Sequence, residues 1–397
     1  MTSWLRPLTL LLIPIVILLL VPSPFQVAGL AGGLIWLGLR WMSRGNPAPA
    51  TPLNVPLVLF LATFAAALAL SPGPERAAVI ACQVVAGVLV YFRLTDIIER
   101  RRDVERAIVM VTALAVLVAL AAPFLVRFGP NKLFSLPDLY AELRVASPAE
   151  ANPNVLAGVA APAIPLALAL VLSSSKASRL FGVAAFLILT TAVLLLQSRG
   201  ALFALGVGLA VWLVLYQKWL FPVLAVAAVA ALILNNTLGG PSPAQILFGN
   251  LGTGEYNSYA QRQELWVQGI YLLGRSPLTG IGMGTYTEAS MISWPHSPSA
   301  PGWGFPHAHN LLLQVALDTG IIGAAAMIVL LALALRALWY ARRNPRTRRI
   351  ATAVFAALVV ILAQGLGDTV VWASKSSLIL WLYLGLAVGL DKKSVGM

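Results

Sequence analysis

Two histidines stand at the start of a long apolar segment, in the stretch HAHNLLLQVALDTGIIG at residues 307–323. They are His307 and His309, two of only three histidines in the chain, and Asn310 beside them is a residue type that caps helices. A helix N-terminus disfavours imidazolium, so a histidine there stays neutral, which is the form that a general base needs. His309 is therefore the first candidate base, with His307 as the second. A pair of interfacial polar residues is the plainer interpretation.

Three arginines are candidates for binding an anion. Arg199 lies in LLLQSRGALFALG, in a tight turn between two apolar segments, where a charge is costly unless it finds a partner or water. Arg262 precedes Trp266 by four residues, with the spacing of a helix lying on a membrane surface, and Arg275 follows one helix length later. Guanidinium binds phosphate oxygens in a bidentate manner and keeps its charge. The alternatives are a snorkelling arginine at a helix end and an anchor for anionic lipid.

Two further polar residues stand at the ends of apolar segments. The stretch ANPNVLAG at residues 151–158 predicts a helix start, with Asn152 or Asn154 as the cap. Asp368 is an acid at membrane depth, and such a residue is a functional candidate. We expect it to orient a histidine or to pair with Arg199, while a purely structural ion pair is equally consistent with its position.

The patterns that usually bind metals are missing from the sequence. The outer segments contain no Asp-x-Asp pair, and the chain contains no His-Glu-x-x-His motif. Cys82 is the only cysteine, so the chain offers neither a disulfide nor a thiolate metal site. GIGMG at residues 280–284 follows no strand pattern, which favours a turn over a nucleotide-binding loop. We therefore expect arginine in place of a metal ion, and no cofactor.

The elements that must position these residues are membrane helices. Hydrophobic residues make up 59% of the 397 residues and charged residues 10%, whereas soluble domains carry about a quarter charged residues. Apolar runs of about 17 to 24 residues recur along the chain, long enough to cross a bilayer. We expect an all-α, polytopic integral membrane protein with about twelve transmembrane helices, forming a single membrane domain over residues 1–397. The expected spans are 7–22, 25–41, 54–71, 77–94, 105–126, 154–172, 179–196, 201–217, 219–234, 309–335, 350–371 and 376–391.

The distribution of positive charge predicts the orientation. Most of the 27 Lys and Arg residues fall in segments that are cytoplasmic if the N-terminus is inside, as the positive-inside rule requires. Both termini are then cytoplasmic, the N-terminal run is an uncleaved first span, and the net charge of +13 reports topology rather than a nucleic-acid partner. The outer loop at 127–153 and the long periplasmic loop at 235–308, between spans 9 and 10, lie on the other side. The second contains short interfacial helices, including one at 258–273, so we expect the function at this face.

Three segments, in this order, resemble the superfamily of O-antigen ligases and O-antigen polymerases, which are bacterial polytopic membrane glycan transferases. They are QSRGALFALG at 197–206, RQELWVQGIYLLGRSPLTGIGMGTY at 262–286 and HNLLLQVALDTGIIG at 309–323, and ANPNVLAG also fits the pattern. The expected ligase-like core is 190–335. The usual acid before Gly320 is Asp318 here, a mild departure. The outer loops are short for a polymerase, so the chain is most similar to the ligases.

The resemblance implies a glycan transfer at the periplasmic face of the bacterial inner membrane. The donor would be a glycan on undecaprenyl diphosphate, and the acceptor a sugar hydroxyl, which for a ligase belongs to lipid A-core. Membrane lipids are the other expected partner, and no nucleic acid is expected. Carried over residue by residue, His309 is the base, and Arg199 and Arg262 bind the diphosphate. Weaker candidates for binding diphosphate or acceptor are Arg275, Asn154, Asp368, His307 and Trp266.

The chemistry is consistent with these roles. A sugar hydroxyl attacks well only when a base takes its proton, and arginines can stabilise the departing diphosphate. We expect a metal-independent single displacement with inversion at the anomeric carbon. A polymerase of the same superfamily, which differs in its acceptor, is the main alternative, and a protein O-glycosylating relative comes third. A transporter or lipid flippase is the alternative of a different class, but its polar sites usually lie near mid-membrane, whereas here the unusual charges gather at the outer rim.

Overall fold

The computed structural model describes residues 12–21, 24–98, 101–126, 151–217, 258–295 and 304–394, together with the single residues 219, 222, 226, 229, 233 and 237. Every regular element within these residues is an α-helix, in agreement with the expected all-α class. The helices are α1 (Leu12–Leu20), α2 (Phe25–Arg44), α3 (Asn54–Ala69), α4 (Pro74–Ile97), α5 (Arg101–Leu125), α6 (Pro153–Ala160), α7 (Ala163–Val171), α8 (Lys176–Leu195), α9 (Arg199–Tyr216), α10 (Ser258–Arg275), α11 (Tyr286–Ser293), α12 (Leu311–Ala341), α13 (Arg348–Gly365) and α14 (Ser377–Ser394).

Several of these helices have the length and composition of membrane spans. Among the described residues, seven helical stretches are long and apolar enough to cross a bilayer, and α3 and α14 are shorter apolar helices. The seven are Pro74–Asp96, Asp103–Leu125, Pro153–Val171, Lys176–Leu195, Arg199–Tyr216, Leu311–Ala341 and Arg348–Gly365. The helices agree with a multi-pass membrane protein. The count of twelve stays a prediction, since most of the span expected at 219–234 lies outside the described residues. The same holds for residues 127–150 of the first outer loop and for 235–236, 238–257 and 296–303 of the second.

The chain divides into two compact units that alternate along the sequence. The first unit comprises Met1–Ala107, Leu265–Ala341 and Thr369–Met397. The second unit comprises Ile108–Glu264 and Arg342–Asp368. His307 and His309 belong to the first unit, and Arg199 and Arg262 to the second. Each unit is described by itself below.

The first unit has an aromatic interior built around α4 and α14, with α3 and α12 packed beside them. Gly87 lies directly against the indole of Trp381, where a Cβ atom would collide with the ring. The buried ring of Trp372 meets Phe60 edge to face, with centroids 5.9 Å apart. Aromatic pairs in this geometry are favourable beyond the area that they bury. Glycine on one helix and tryptophan on its neighbour thus set the close packing of this unit.

The second unit uses small residues instead. Its buried core contains many alanines from α5 to α9, joined by Val360 of α13. At Gly208 of α9 a Cβ atom would collide with Val360, and at Gly182 of α8 it would collide with the backbone of Val171. Helix association in membranes depends on van der Waals contact between closely approaching backbones, which small residues allow. The sequence of this unit is therefore suited to tight helix pairs in which alanine and glycine form many of the contacts.

The long helix α12 is broken at Gly320. This residue has φ 76° and ψ 175°, and a Cβ atom there would collide with the carbonyl of Leu278, so the position requires glycine. The neighbouring loop takes up backbone groups at the break. The N–H of Ile321 donates to Pro277 O at 2.8 Å, and the N–H of Ile281 donates to Leu317 O at 2.8 Å. The span expected at 309–335 is thus a helix in two parts, a feature that apolar composition on both sides of Gly320 does not reveal.

Candidate active site

The two candidate bases occupy a short loop directly before α12, in the first unit. The Oδ1 atom of Asn310 accepts the N–H of Leu313 at 3.0 Å, so the expected cap of this helix is present. The imidazole rings of His307 and His309 meet edge to face with centroids 4.3 Å apart, and the ring of Phe305 lies 6.0 Å from that of His309. Both histidines are half-buried. His309 therefore stands at the positive end of a helix, against aromatic side chains.

The backbone of His309 adopts a conformation that is rare for a residue with a side chain. Its φ is +49°, in the left-handed region, which costs roughly 1–2 kcal/mol. Its N–H donates to Nδ1 of His307 at 3.3 Å, and its carbonyl accepts the indole N–H of Trp266 at 3.3 Å. The preceding N–H, that of Ala308, donates to Oε1 of Gln314 at 2.9 Å. Three side chains thus hold the peptide groups that present His309.

A fully buried carboxylate lies two helical turns beyond this loop. Asp318 has no exposed surface, and the indole N–H of Trp372 donates to its Oδ2 atom at 2.7 Å. Its Oδ1 atom accepts the N–H of Gly284 and Nε2 of Gln314, both at 3.2 Å. Among the described residues Asp318 has no cationic partner. The GIGMG segment is therefore a turn packed on α12, with positive φ at Gly280, Gly282 and Gly284, as the sequence predicts.

The loop helix expected at 258–273 is present as α10 and is two residues longer. Leu265 and Leu272 are buried, whereas Val267 and Ile270 are exposed, so the helix has one apolar side facing the protein and another facing outward. Arg275 is exposed, and its guanidinium donates to the hydroxyl of Tyr271 at 3.0 Å and lies over that ring. This arginine therefore has a partner on its own helix.

Arg199 is the first residue of α9, in the second unit. Ser198 is the N-cap, and its hydroxyl accepts the N–H of Ala201 at 3.4 Å. The Nη1 atom of Arg199 is buried and has no hydrogen-bond partner among the described residues. Arg262 lies close enough for its positive charge to act on Arg199, and neither forms an ion pair with a described carboxylate. Two cations beside a helix N-terminus, without an acid between them, favour an anion.

The remaining candidates of the second unit lie where helices begin and end. Asn152 rather than Asn154 caps α6, since its Oδ1 atom accepts the N–H of Asn154 at 2.9 Å. The carbonyl of Asn154 accepts Nε2 of Gln364, near the end of α13, at 3.3 Å. Asp368 is buried just beyond that helix, and its N–H donates to Gln364 O at 3.0 Å. Both expected roles of Asp368, orienting a histidine and pairing with Arg199, stay predictions.

The comparison with known families concerns the segment that contains most of these residues. A family model described as O-antigen ligase matches residues 183–328. The resemblance to the O-antigen ligase superfamily is confirmed. The segment similar to O-antigen ligases contains His309, Arg199 and Arg262, and also His307, Trp266 and Arg275, whereas Asn154 and Asp368 lie outside it.

The other comparisons add little to this assignment. No curated protein matches the chain. One solved chain, from work entitled "Structural coordination of polymerization and crosslinking by a peptidoglycan synthase complex", is similar at 17% sequence identity and a TM-score of 0.49. The similarity covers 86% of this chain and 98% of that chain. At this score it supports no conclusion about the present protein.

Sequence reasoning missed the buried residues that support the histidine loop, which comprises residues 307–310. Gln314 and Trp372 were not candidates, and Asp318 was noted only as a departure from the family pattern. A signal was available, because Gln314 and Asp318 are four residues apart in an otherwise apolar helix and therefore share one face. Polar residues in such a position are costly in a membrane and mark functional sites. The contribution of Trp372, 54 residues from Asp318, has no comparable signal in the sequence.

Proposed function

We propose that the protein is a membrane glycosyltransferase of the O-antigen ligase type. It transfers a glycan from undecaprenyl diphosphate to a sugar hydroxyl of lipid A-core at the periplasmic face of the inner membrane. The observation that carries the proposal is the pair of arginines within the ligase-like segment. The buried Nη1 atom of Arg199 has no partner in the described chain, and the charge of Arg262 adds to its own.

The arginines bind the diphosphate of the donor. A structural arginine normally finds a carboxylate or carbonyl partner, because leaving a buried charged donor unsatisfied is unfavourable. Arg349 in the same unit illustrates the structural case, since its Nη1 atom donates to Ala169 O at 2.9 Å. Among the described residues, Arg199 instead keeps an unsatisfied donor, close to the charge of Arg262 and at the N-terminus of α9. A diphosphate supplies the acceptors and the negative charge that this group of cations lacks.

His309 is the general base. Its ring stands at the start of α12, with the ring of Phe305 lying 6.0 Å away. Its backbone is held in a strained conformation by surrounding side chains, and such strain accumulates at functional sites. The neighbouring His307 accepts the N–H of His309, so it serves as a support for the base rather than as a second base.

The proposed reaction is a single displacement. The acceptor hydroxyl loses its proton to the imidazole of His309 as its oxygen bonds to the anomeric carbon of the donor sugar. The bond between that carbon and the diphosphate oxygen breaks, and undecaprenyl diphosphate leaves with the bonding electron pair. Arg199 and Arg262 stabilise the negative charge that develops on the leaving group. One displacement inverts the anomeric configuration.

The test is a transfer assay with the purified protein. Undecaprenyl-diphosphate-linked glycan is supplied with EDTA, and lipid A-core and free glycan are offered as acceptors in separate reactions. We expect product on lipid A-core, with inverted anomeric configuration by NMR. A requirement for a divalent cation would contradict the metal-independent mechanism.

The same assay separates the alternatives. Extension of the free glycan alone would identify a polymerase, which shares the donor and the base but uses a different acceptor. Transfer to neither acceptor, together with ion-coupled movement of the lipid across vesicles, would identify a transporter or flippase. A ligase requires no ion or proton gradient, so dissipating the gradient in vesicles leaves its rate unchanged.

A further inference from the structure

Among the described residues, no cation accompanies the buried carboxylate of Asp318. Burying an ionised acid is unfavourable unless it is paired or well hydrogen-bonded, and here three neutral donors replace a cation. They are the indole of Trp372, the backbone N–H of Gly284 and the amide of Gln314. All three belong to the first unit. The carboxylate is thus an acceptor to which three separate segments of this unit are bound.

The bond to Gln314 fixes the orientation of that amide. An ionised carboxylate only accepts hydrogen bonds, so Gln314 must present its NH₂ group to Asp318. Its Oε1 atom is then directed to the other side, where it accepts the N–H of Ala308 at 2.9 Å. Ala308 is the residue between the two histidines. The carboxylate therefore favours the orientation of the Gln314 amide in which Oε1 meets the N–H of Ala308.

The loop depends on this contact because His309 is not in a relaxed conformation. A φ of +49° is unfavourable for a residue with a Cβ atom, and it persists only where surrounding groups impose it. His307 and Trp266 contact the peptide groups of His309 itself, and Gln314 contacts the N–H of the preceding residue, Ala308. Gln314 is the member of this set that continues inward, to Asp318.

We propose that Asp318 is a positioning residue that holds His309 in place through Gln314. The inference rests on the proposed function in that His309 is taken as the base. A misplacement of a catalytic group by about 1 Å can lower a rate by about a hundredfold. A residue that positions His309 therefore affects turnover without contacting the substrate. The competing explanation is that Asp318 serves only to stabilise the break at Gly320 and the turn at 280–284. That role predicts a loss of stability without a specific loss of turnover.

The central variants are Asp318→Asn and Gln314→Met. Asparagine has nearly the same shape as aspartate, but its NH₂ group cannot accept a hydrogen bond. This group faces either Trp372 or the donors of Gly284 and Gln314, so one of these two sets of hydrogen bonds is lost. Methionine keeps the volume of Gln314 and removes both of its amide contacts. The matched control is Thr319→Val, which removes a buried hydrogen bond to Val315 O from the same helix but has no link to Gln314. All variants are made in the full-length protein.

The kinetic measurement compares kcat with the KM for undecaprenyl-diphosphate-linked glycan. For Asp318→Asn and Gln314→Met we expect kcat to fall about tenfold or more, while the donor KM stays near its original value. Thr319→Val should lower the melting temperature about as much as Asp318→Asn does, and it should leave kcat near that of the original protein. The double variant, Asp318→Asn with Gln314→Met, should be no slower than Gln314→Met alone. Both changes interrupt the same chain of hydrogen bonds from Asp318 through Gln314 to Ala308. An unchanged kcat in Asp318→Asn, or additive losses in the double variant, would overturn the proposal.

A second measurement does not depend on turnover. Diethyl pyrocarbonate labels histidine side chains, and mass spectrometry gives the rate at His309 separately from that at His307. We expect this rate to change several-fold in Asp318→Asn and Gln314→Met and to stay constant in Thr319→Val. If the original protein transfers no glycan, the proposed function fails, and the labelling rates still decide whether Asp318 positions His309. Equal labelling rates at His309 in all variants would refute the positioning role of Asp318.

Discussion

The two units treat their candidate catalytic groups in opposite ways. In the first unit, side chains hold the peptide groups around His309, and a buried carboxylate stands behind one of those side chains. In the second unit, the Nη1 atom of Arg199 is buried and has no partner in the described chain. Several hydrogen bonds fix the backbone that carries His309, whereas Arg199 keeps a donor without a partner among the described residues.

Under the proposed function, this difference follows from what each group must do. A general base works only when it is oriented towards one proton, so the protein can use its own hydrogen bonds to fix it. An arginine that binds a substrate anion needs open donors, because an internal carboxylate would compete with the ligand. The hydrogen-bonded peptide groups around the proposed base hold it ready for one proton, and the open donor of the arginine is ready for an anion. Both are forms of preorganisation. The predictions that follow test this distinction, beginning with the largest expected effect.

Replacing the proposed base, His309, should have the greatest consequence. His309→Asn and His309→Ala should each lower the rate of glycan transfer by about 10²–10⁴, the usual contribution of general base catalysis. Asparagine tolerates the left-handed conformation, so this variant removes the base while keeping the backbone at φ +49°. Donor binding and the melting temperature should stay close to those of the original protein. A large loss in the alanine variant with near-normal transfer in the asparagine variant would mean that the loop conformation, and not the imidazole, is what matters.

Removing an unpaired arginine should act through the donor. Arg199→Ala and Arg262→Ala should each lower kcat/KM by about 10²–10³, as expected for loss of a group that stabilises developing charge. Lysine at either position should rescue poorly, since it lacks the bidentate fork. The assay is binding and turnover of undecaprenyl-diphosphate-linked glycan.

The control for these variants is an arginine of the same unit that already has a partner. Arg349→Ala removes a contact with Ala169 O, so it should reduce stability and leave donor affinity unchanged. If Arg349→Ala weakens donor binding as much as Arg199→Ala does, the distinction between partnered and unpartnered arginines is wrong.

The close packing of the second unit should be sensitive to a single added side chain. Gly208→Val introduces atoms that collide with Val360 and approach Ala356 O, and it should reduce the free energy of unfolding by roughly 1–3 kcal/mol. Gly206→Ala on the same helix meets no atom within 4 Å and should be neutral or stabilising by up to about 1 kcal/mol. Thermal unfolding in detergent measures both. Equal melting temperatures for the two variants would show that α9 and α13 do not need the small residue.

The smallest effect is expected at Arg275. This arginine is exposed and donates to Tyr271 on its own helix, so Arg275→Ala should leave kcat/KM nearly unchanged and lower stability by no more than about 1 kcal/mol, the value of an exposed cation–π contact. Tyr271→Phe, which removes the hydrogen bond and keeps the ring, serves as the control. A loss at Arg275 as large as that at Arg199 would assign it to the substrate-binding group in spite of its partner.

Local features of the site were predictable from the sequence. The helix expected at 258–273 is present at Ser258–Arg275, and Asn310 caps α12 as its residue type indicates. Apolar periodicity and capping preferences act over a few residues, so they survive in the fold. The break at Gly320 was not predictable in the same way. Its neighbours are apolar on both sides, and the groups that satisfy the broken backbone come from residues 277–281.

The sequence alone determined that the chain forms apolar helices with its few polar residues near their ends. Lipid offers no hydrogen bonds, so a spanning segment must satisfy its own backbone, and apolar runs of this length have no other stable conformation there. Only the tertiary structure decided which polar groups are held and which are left open. Hydrogen bonds act at about 3 Å, and their partners can be distant in sequence. Trp266 reaches His309 across 43 residues and Trp372 reaches Asp318 across 54, whereas Arg199 meets no such partner in the described chain.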